Sequence, residues 1–276
     1  DGNGIGDFYY SPPSGHLALC ATNLPQPTIG PDSDTQADEH FNTVLFNGTG
    51  SSPLSVTGVG FQPDLLWMKR RNGGTNGNNI LYDSSRGGTN ALRSNTTGSE
   101  AQFGDMVITF ASDGFSFTGT DGLNASSDYS NLAFNWKANG GTITTNDASA
   151  TSIGSIDSDI QANTTAGFSI VQYETNSGTS GSSQTVAHGL SQAPTFMIVK
   201  SRDQAGTSWM VYYGDNTDYL RLESNGATID GQSTWNDTSP TSTVFSIGTN
   251  GGDTNNTNGG SMIGYIFHDV EGYSKF

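Results

Sequence analysis

The sequence predicts an all-β protein built from tandem antiparallel β-sandwich domains of the jelly-roll or lectin-like type, with little or no helix. Uncharged polar residues alternate with Val, Ile, Phe, Tyr and Trp along much of the chain, which is typical of antiparallel sheets. Turn pairs such as Asn47-Gly48 and Asp113-Gly114 separate these runs at the spacing of a sandwich. No segment keeps the helical period of about 3.6 residues over several turns.

Two stretches of the chain, 41–137 and 168–276, contain similar residues in the same order. In each, a proline precedes an apolar run that ends in lysine, at 63–69 and at 194–200. The later segments correspond in turn: 81–82 with 209–213, 91–95 with 219–225, 109–115 with 244–250, and 131–136 with 262–267. A unit of about a hundred residues is the size of one small domain. We therefore interpret the chain as a tandem pair of modules, an arrangement that usually serves binding or assembly.

The beginning of the chain is predicted to be a separate piece of sheet. Residues 1–30 contain two short strand-like runs, 7–10 and 17–20, joined by a turn with two prolines. Two strands cannot bury a core alone. They are expected to complete a sheet supplied by further chain, another domain or another subunit. Residues 31–40 are predicted to be an extended acidic linker.

The first repeat, residues 41–140, is predicted to consist of short strands separated by turns. These strands are 43–46, 54–56, 65–69, 79–82, 91–93, 106–110, 114–118 and 132–137. Residues 141–166 are predicted to form a polar connection, with weak strand signals at 142–144 and 152–160.

The second repeat, residues 167–276, begins with an alternating strand at 168–173 that corresponds to 41–46. Its loops are longer than those of the first repeat and richer in Gly and Asn. Loops on a rigid scaffold often carry recognition. If the protein binds a ligand, we expect the loops within 203–260 to hold it, while the first repeat spaces and supports them.

The balance of charges excludes some partners. Acidic residues number 26 against 10 basic ones, and the formal net charge of −16 repels phosphate backbones and anionic membranes. No apolar run approaches the roughly 18 residues that span a bilayer. We therefore expect neither nucleic-acid binding nor membrane insertion. Cys20 is the only cysteine, so an intrachain disulfide is excluded.

Metal binding has little support in the sequence. The four histidines, at 16, 40, 188 and 268, have no partner at ligand spacing, which excludes zinc. Asp1, Asn3 and Asp7 have the spacing of oxygen ligands in a calcium loop, although Ile5 interrupts the pattern. We predict no cofactor, and leave calcium at Asp1, Asn3 and Asp7 as the alternative to simple Asx turns.

Three cations stand together at Lys69, Arg70 and Arg71. We expect them to form a cluster at a strand end that pairs with Asp64 or Asp83. The alternative is that they contact an anion or a sialic acid.

No catalytic group stands out. The chain has no Gly-x-Ser-x-Gly motif between a strand and a helix, which a hydrolase nucleophile would need. Nothing singles out a pair of carboxylates for glycoside cleavage. The carboxylates considered are Glu100, Asp105, Glu174, Glu223 and Asp230. We therefore predict that the protein is not an enzyme and has no catalytic residue.

Aromatic residues are the better candidates for ligand binding, because sugar rings stack on Trp and Tyr. Trp67 and Trp136 alternate with aliphatic residues and are predicted to belong to the core. Trp235 stands in a polar segment and is predicted to be exposed. The predicted ligand-binding residues are Trp235, Asn236, Asp237, Tyr213, Tyr219, Asn255 and Asn256.

The segments 60–69 and 81–87, with 94–97, 112–115 and the ending 270–276, resemble a tandem β-domain module of tailed bacteriophages, especially marine ones. Residues 8–24 resemble the closing strands of a SPRY-type sandwich that often precedes this module. The resemblance implies a virion fibre, tail or decoration protein on the particle surface, and a sequence that is a fragment lacking most of the SPRY-like domain. It assigns no catalytic residue.

Three functional hypotheses follow. The first is a non-enzymatic virion structural protein, a tail-fibre, receptor-binding or adhesin component that contacts host-surface polysaccharide. The alternative is a capsid decoration or fibre-shaft protein with a purely assembly role. The third is a capsular polysaccharide depolymerase. The expected partners are other virion proteins and copies of the chain itself, as a homo-oligomer such as a trimer.

Overall fold

In the computed structural model, the predicted strand-forming runs pair into the antiparallel sheets of a β-sandwich protein. The structure describes residues 2, 4–6, 8–20, 23, 29, 36–72, 77–175, 182–249, 253–255 and 259–276. The helical elements of these residues are α1 (Ala148–Thr151), α2 (Gln232–Trp235) and the 3-10 turns Ala37–Glu39 and Gly122–Asn124, and Asn23 also has 3-10 geometry. None of these helices has the length and apolar character needed to cross a membrane. The predicted fold class is confirmed.

The first repeat forms one large sheet and one small sheet. Its strands are β1 (Phe41–Asn47), β2 (Leu54–Thr57), β3 (Leu65–Arg70), β4 (Asn79–Asp83), β5 (Gly87–Arg93), β6 (Ala101–Gln102), β7 (Val107–Ala111), β8 (Gly114–Thr118) and β9 (Ser130–Trp136). The large sheet has six strands in the order β1-β9-β3-β4-β5-β6. The small sheet has three strands in the order β2-β8-β7.

The second repeat also forms a large and a small sheet. Its strands are β10 (Thr144–Asn146), β11 (Ser158–Asn163), β12 (Phe168–Glu174), β13 (Gln184–Ala187), β14 (Phe196–Ser201), β15 (Met210–Tyr212), β16 (Asp218–Arg221), β17 (Ile229–Asp230), β18 (Val244–Ile247) and β19 (Ser261–Phe267). The large sheet has eight strands in the order β10-β11-β12-β19-β14-β15-β16-β17, and the small sheet pairs β13 with β18.

The two large sheets share one strand order. The run β12-β19-β14-β15-β16-β17 of the second repeat corresponds strand by strand to β1-β9-β3-β4-β5-β6 of the first. The pair β13-β18 corresponds to β2-β8 in the same way. The second repeat has one addition: β10 and β11, from the segment predicted to connect the repeats, extend its sheet beyond β12.

The large sheets pack against each other, and each small sheet covers the opposite face of its own large sheet. We call the apolar layer between the large sheets the interface core. It contains Leu65, Leu81 and Leu92 of the first repeat with Phe168, Ile170, Ile198, Trp209, Val211, Ile263, Tyr265 and Phe267 of the second. The outer core of the first repeat includes Leu66, Met68, Phe115 and Phe117, and that of the second includes Val199, Trp235, Phe245 and Met262.

Burial on both faces explains why the central strands are apolar at consecutive positions. In β3, Leu66 and Met68 face the outer core, while Leu65 and Trp67 pack at the interface core. A strand covered on one face alone would alternate apolar and polar residues, whereas one covered on both faces need not. Trp67 and Trp136, predicted to be core residues, both pack against the interface core and are half-buried.

The two runs predicted to be strands near the beginning of the chain form no strand in their described residues, and their place in a sheet supplied from elsewhere stays a prediction. Residues 8–20 form turns and bends, and Tyr9 and Leu19 keep 91% and 94% of their side-chain surface exposed. A strand needs a neighbour for its backbone hydrogen bonds, and no sheet of the described chain extends to this segment. Asp7 lies outside the described residues. Ile29 is buried against Ala166 and Val270 of the second repeat.

Candidate functional site

A buried ionic network joins the two repeats. Arg86, in the turn between β4 and β5, donates from Nε to Asp83 Oδ2 at 2.6 Å and from Nη1 to Glu100 Oε2 at 2.9 Å. The side chains of Arg86 and Asp83 have no exposed surface. From the second repeat, the Tyr265 hydroxyl donates to Asp83 Oδ2 at 2.7 Å. Burial by itself lowers the pKa of Arg86, but Asp83, Tyr265 and Glu100 raise that pKa above its ordinary value.

Glu100 is shared between the repeats. Arg202 of the second repeat donates to both of its carboxylate oxygens, from Nε at 3.0 Å and from Nη2 at 3.1 Å. The backbone N–H of Glu100 donates in turn to the carbonyl oxygen of Arg202 at 2.7 Å. Burial raises the pKa of Glu100, but hydrogen bonds from Arg202 and the charge of Arg86 bring that pKa below its usual value. Glu100 and Arg202 therefore stay ionised as a pair, and Glu100 holds the guanidinium of Arg202 in position.

A polar cleft of about 410 Å³ lies beside this network, on the second repeat. Its walls come from β10, β11, β12, the end of β14 and the start of β19. The lining residues are Thr145, Ile156, Asp157, Ser158, Asp159, Gln172, Tyr173, Glu174, Arg202 and Ser261. Arg202 donates from Nη1 to Gln172 Oε1 at 2.6 Å, so the guanidinium that binds Glu100 also forms part of the cleft.

The cleft presents hydrogen-bonding groups that the fold holds in place. Asp159 Oδ1 accepts the Thr145 hydroxyl at 2.6 Å, and Asp157 Oδ1 accepts the Ala148 N–H at 2.8 Å. Asp157 and Glu174 are exposed to solvent. Tyr173 is buried and donates its hydroxyl to the Thr254 carbonyl, so it offers no ring for stacking. The cleft suits a ligand rich in hydroxyl groups, which both donate and accept hydrogen bonds.

The acidic residues of the cleft are not arranged as a metal centre. Across the described ranges, no group of three or more His, Cys, Asp or Glu side chains is placed to hold a metal ion. The calcium alternative at Asp1, Asn3 and Asp7 lies outside those ranges.

Trp235 is not the exposed residue that the sequence predicts. It ends α2, keeps 1% of its surface exposed and packs edge-on against Tyr212 in the outer core. The polar segment around it is a helical turn, in which Asn236 at φ 58° ends the helix and Trp235 points inward. Tyr219 and Asn255 are also buried.

The remaining predicted ligand residues are divided between surface and interior. Asn255 donates from Nδ2 to the carbonyl of Gly248 at 2.7 Å and so serves the fold. Tyr213 is 37% exposed, Asp237 is exposed and Asn236 is half-buried, so these three stay predictions. Asn256 lies outside the described residues.

The sequence did not point to the cleft because its residues come from strands far apart in the chain. Asp159 and Gln172 face each other across β11 and β12, while Arg202 follows β14 and Ser261 begins β19. The weak strand signals at 142–144 and 152–160 were the local indications that this segment belongs to a sheet.

The predicted ion pairs of the basic cluster are also wrong. Asp64 accepts the backbone N–H groups of Ala138, Gly140 and Gly141 at 2.7–2.8 Å, and Asp83 binds Arg86. Both carboxylates are therefore already satisfied. In the part of the chain that the structure describes, Lys69, Arg70 and Arg71 form no salt bridge.

Two buried basic side chains make stability depend on pH. His188 accepts the Leu190 N–H at Nδ1, and its Nε2 lies 3.1 Å from the Thr241 carbonyl. Burial lowers the pKa of His188 to about 4, against the raising effect of Thr241 and with a small lowering effect from His268. Burial also lowers the pKa of Lys200 to about 8, and its Nζ donates to Thr207 at 2.6 Å.

We expect the free energy of unfolding to fall as the pH decreases below about 6.5. The folded pKa of His188 lies below its ordinary value of 6.5, so protonation favours the unfolded chain, and the loss grows until the pH passes the folded pKa of about 4. Protonation of His188 in the unfolded chain should lower the free energy of unfolding by about 2 kcal/mol between pH 7.5 and pH 5. Urea unfolding at pH 7.5 and at pH 5 measures this difference in the free energy of unfolding. In His188→Gln the difference should shrink by that amount; an unchanged difference would show that other groups cause it.

The comparisons with known proteins give a family and no relative with an assigned activity. A search of curated proteins and a search of solved structures each found no match. A family model described as a domain of unknown function matches residues 36–276, which include both repeats and the cleft. The chain therefore belongs to the DUF7483 family.

Proposed function

We propose that the protein is a non-enzymatic binding module that holds a surface glycan in the polar cleft. The observation that carries this proposal is a cleft of about 410 Å³ lined by Asp157, Asp159, Glu174, Gln172 and Arg202. A pocket of this size accommodates a ligand as large as a short oligosaccharide. Carboxylates accept hydrogen bonds from sugar hydroxyls, and the guanidinium donates to them.

The way in which the cleft is built supports binding. Glu100 and Gln172 hold the guanidinium of Arg202, and Thr145 holds Asp159. Side chains fixed before the ligand arrives lose little conformational freedom on binding, which favours affinity. The cleft forms on β10 and β11, which the second repeat has in addition to the strands that the repeats share.

The biological setting of the proposal comes from the resemblance to modules of tailed bacteriophages. In that setting the protein is a tail-fibre, receptor-binding or adhesin component on the virion surface. Its partners are other virion proteins, copies of itself and host-surface polysaccharide. The proposal assigns Asp157, Asp159 and Glu174 the role of hydrogen-bond acceptors and not of an acid or nucleophile.

We expect a glycan array of bacterial surface polysaccharides to show binding that depends on the cleft. Losing one hydrogen bond to a charged group costs about 1.5–3 kcal/mol, so Glu174→Ala and Asp159→Asn should each weaken the affinity about tenfold or more. Calorimetry with the strongest array ligand measures this. Asp237→Asn changes an exposed acid in the loop after α2, which stays a predicted ligand residue, and the cleft proposal expects it to bind like wild type.

The outcomes separate three accounts. Equal binding by Glu174→Ala and wild type, or the absence of any glycan binding, contradicts the proposal. A loss in Asp237→Asn alone would place recognition in the loops of 203–260 instead. If size-exclusion chromatography shows that the polysaccharide becomes shorter during incubation with the protein, the protein is a depolymerase.

A second candidate function is assembly, and the edge of β1 favours it. In the second repeat, β11 pairs along the outer edge of β12. The corresponding edge of β1 has no paired strand in the described chain. β1 carries no charged residue, and Leu45 on this strand is 63% exposed. An uncharged open edge is a template for a strand from another molecule.

If assembly occurs at this edge, light scattering should give a mass that rises with protein concentration at about 0.15 M salt, where repulsion between acidic chains is screened. Leu45→Lys should keep the chain monomeric, because a charge on an edge strand opposes strand addition. Ala150→Lys, at an exposed position of α1, is the control of equal charge. A monomer at all concentrations contradicts this second function.

A further inference from the structure

The first repeat has a second cleft, of about 220 Å³, at the end of its large sheet. We call it the arginine cleft. Its lining includes Arg70 at the end of β3, Asn78 before β4, Phe103, Leu123 and Tyr129. It is separate from the polar cleft, whose lining residues all belong to 145–261.

The guanidinium of Arg70 is positioned by a ring and not by an acid. Its Cζ lies 4.2 Å from the centre of the Tyr129 ring. Stacking occupies the flat face of a guanidinium and leaves its N–H edge available for a ligand. Among the described residues, no carboxylate lies within salt-bridge distance of Arg70.

A second arginine flanks the same end of the sheet. Met68 pairs with Ile80, and Ile80 pairs with Arg93, so Arg93 on β5 and Arg70 on β3 lie on the same face of the sheet, with β4 between their strands. The guanidinium of Arg93 lies 5.1 Å from the centre of the Phe103 ring, which lines the cleft. Its Nε is buried and has no hydrogen-bond partner in the described part of the chain. A buried donor without a partner is costly, and Arg93 itself does not line the cleft.

The acidic residues with defined partners do not pair with Arg70 or Arg93. Asp105 accepts the N–H groups of Thr120 and Asp121 at 2.8–3.0 Å. Asp64 and Asp83 lie at the opposite end of β3 and β4 from Arg70, where Asp64 accepts backbone N–H groups and Asp83 binds Arg86. In a chain of net charge −16, this corner therefore keeps cations that the fold itself does not neutralise.

We propose that the arginine cleft binds the carboxylate of an acidic sugar. An arginine edge donates two parallel hydrogen bonds to a planar carboxylate. The walls formed by Ile80, Phe103 and Leu123 are apolar, so a single negative charge costs less to bring in than the double charge of a phosphate. The cleft is smaller than a drug-sized pocket and suits one charged sugar unit. The site does not rest on the polar cleft of the second repeat.

Calorimetry of the full chain with oligogalacturonate tests the proposal, and dextran oligosaccharides of the same length are the neutral control. Arg70→Gln should weaken oligogalacturonate binding about tenfold or more, since charge-assisted bonds are lost. Arg70→Lys keeps the charge but loses the planar guanidinium that donates two parallel hydrogen bonds, so it should weaken binding to a similar degree. Arg221→Gln, which removes an exposed arginine of the second repeat, should stay within about twofold of wild type.

Several results would overturn the proposal. These are no binding of oligogalacturonate, equal affinity of Arg70→Gln and wild type, full affinity of Arg70→Lys, or equal binding of dextran sulfate, which would indicate general attraction between charges. Far-ultraviolet circular dichroism confirms that each variant is folded. Glu174→Ala should bind oligogalacturonate like wild type, so failure of the arginine cleft and failure of the polar cleft give different patterns.

Discussion

The buried charges between the repeats constrain the rest of the structure. Asp83 and Arg86 have no exposed side-chain surface, and Glu100 completes their pairing while binding Arg202 of the other repeat. An unpaired charge in such a position would cost several kcal/mol. The network therefore favours the packing register that brings Arg202 to Glu100 and Tyr265 to Asp83. We infer that the repeats act as one body rather than as two linked domains.

This packing links the sequence pattern to the proposed sites. Sheets buried on both faces favour consecutive apolar residues, which β14 and β19 have, and both clefts lie where the large sheets do not cover each other. The polar cleft lies where β10 and β11 extend the second sheet beyond the strands shared with the first. The arginine cleft lies at the end of the first sheet, where Arg70 has no acidic partner in the described chain.

Local signals predicted the strands, but long-range pairing was not accessible from the sequence. The run 65–69 became part of β3, and Asp113 became the second residue of the turn between β7 and β8, with Gly114 beginning β8, because alternation and turn chemistry act over a few residues. Trp235 was placed outside because its neighbours are polar, although a helical turn directs it inward. Glu100 and Arg202 meet across about a hundred residues of chain, and no local pattern records such a pair.

The central claim is that the buried network makes the repeats one cooperative unit, and native-state hydrogen exchange measured by mass spectrometry tests it most directly. The slowest amides of β3 and β19 should open with the same free energy. Glu100→Gln should lower that free energy equally in both strands, by on the order of 3 kcal/mol, because it breaks a largely buried ionic pairing. Different opening free energies for β3 and β19, or a loss confined to one repeat, would contradict the account.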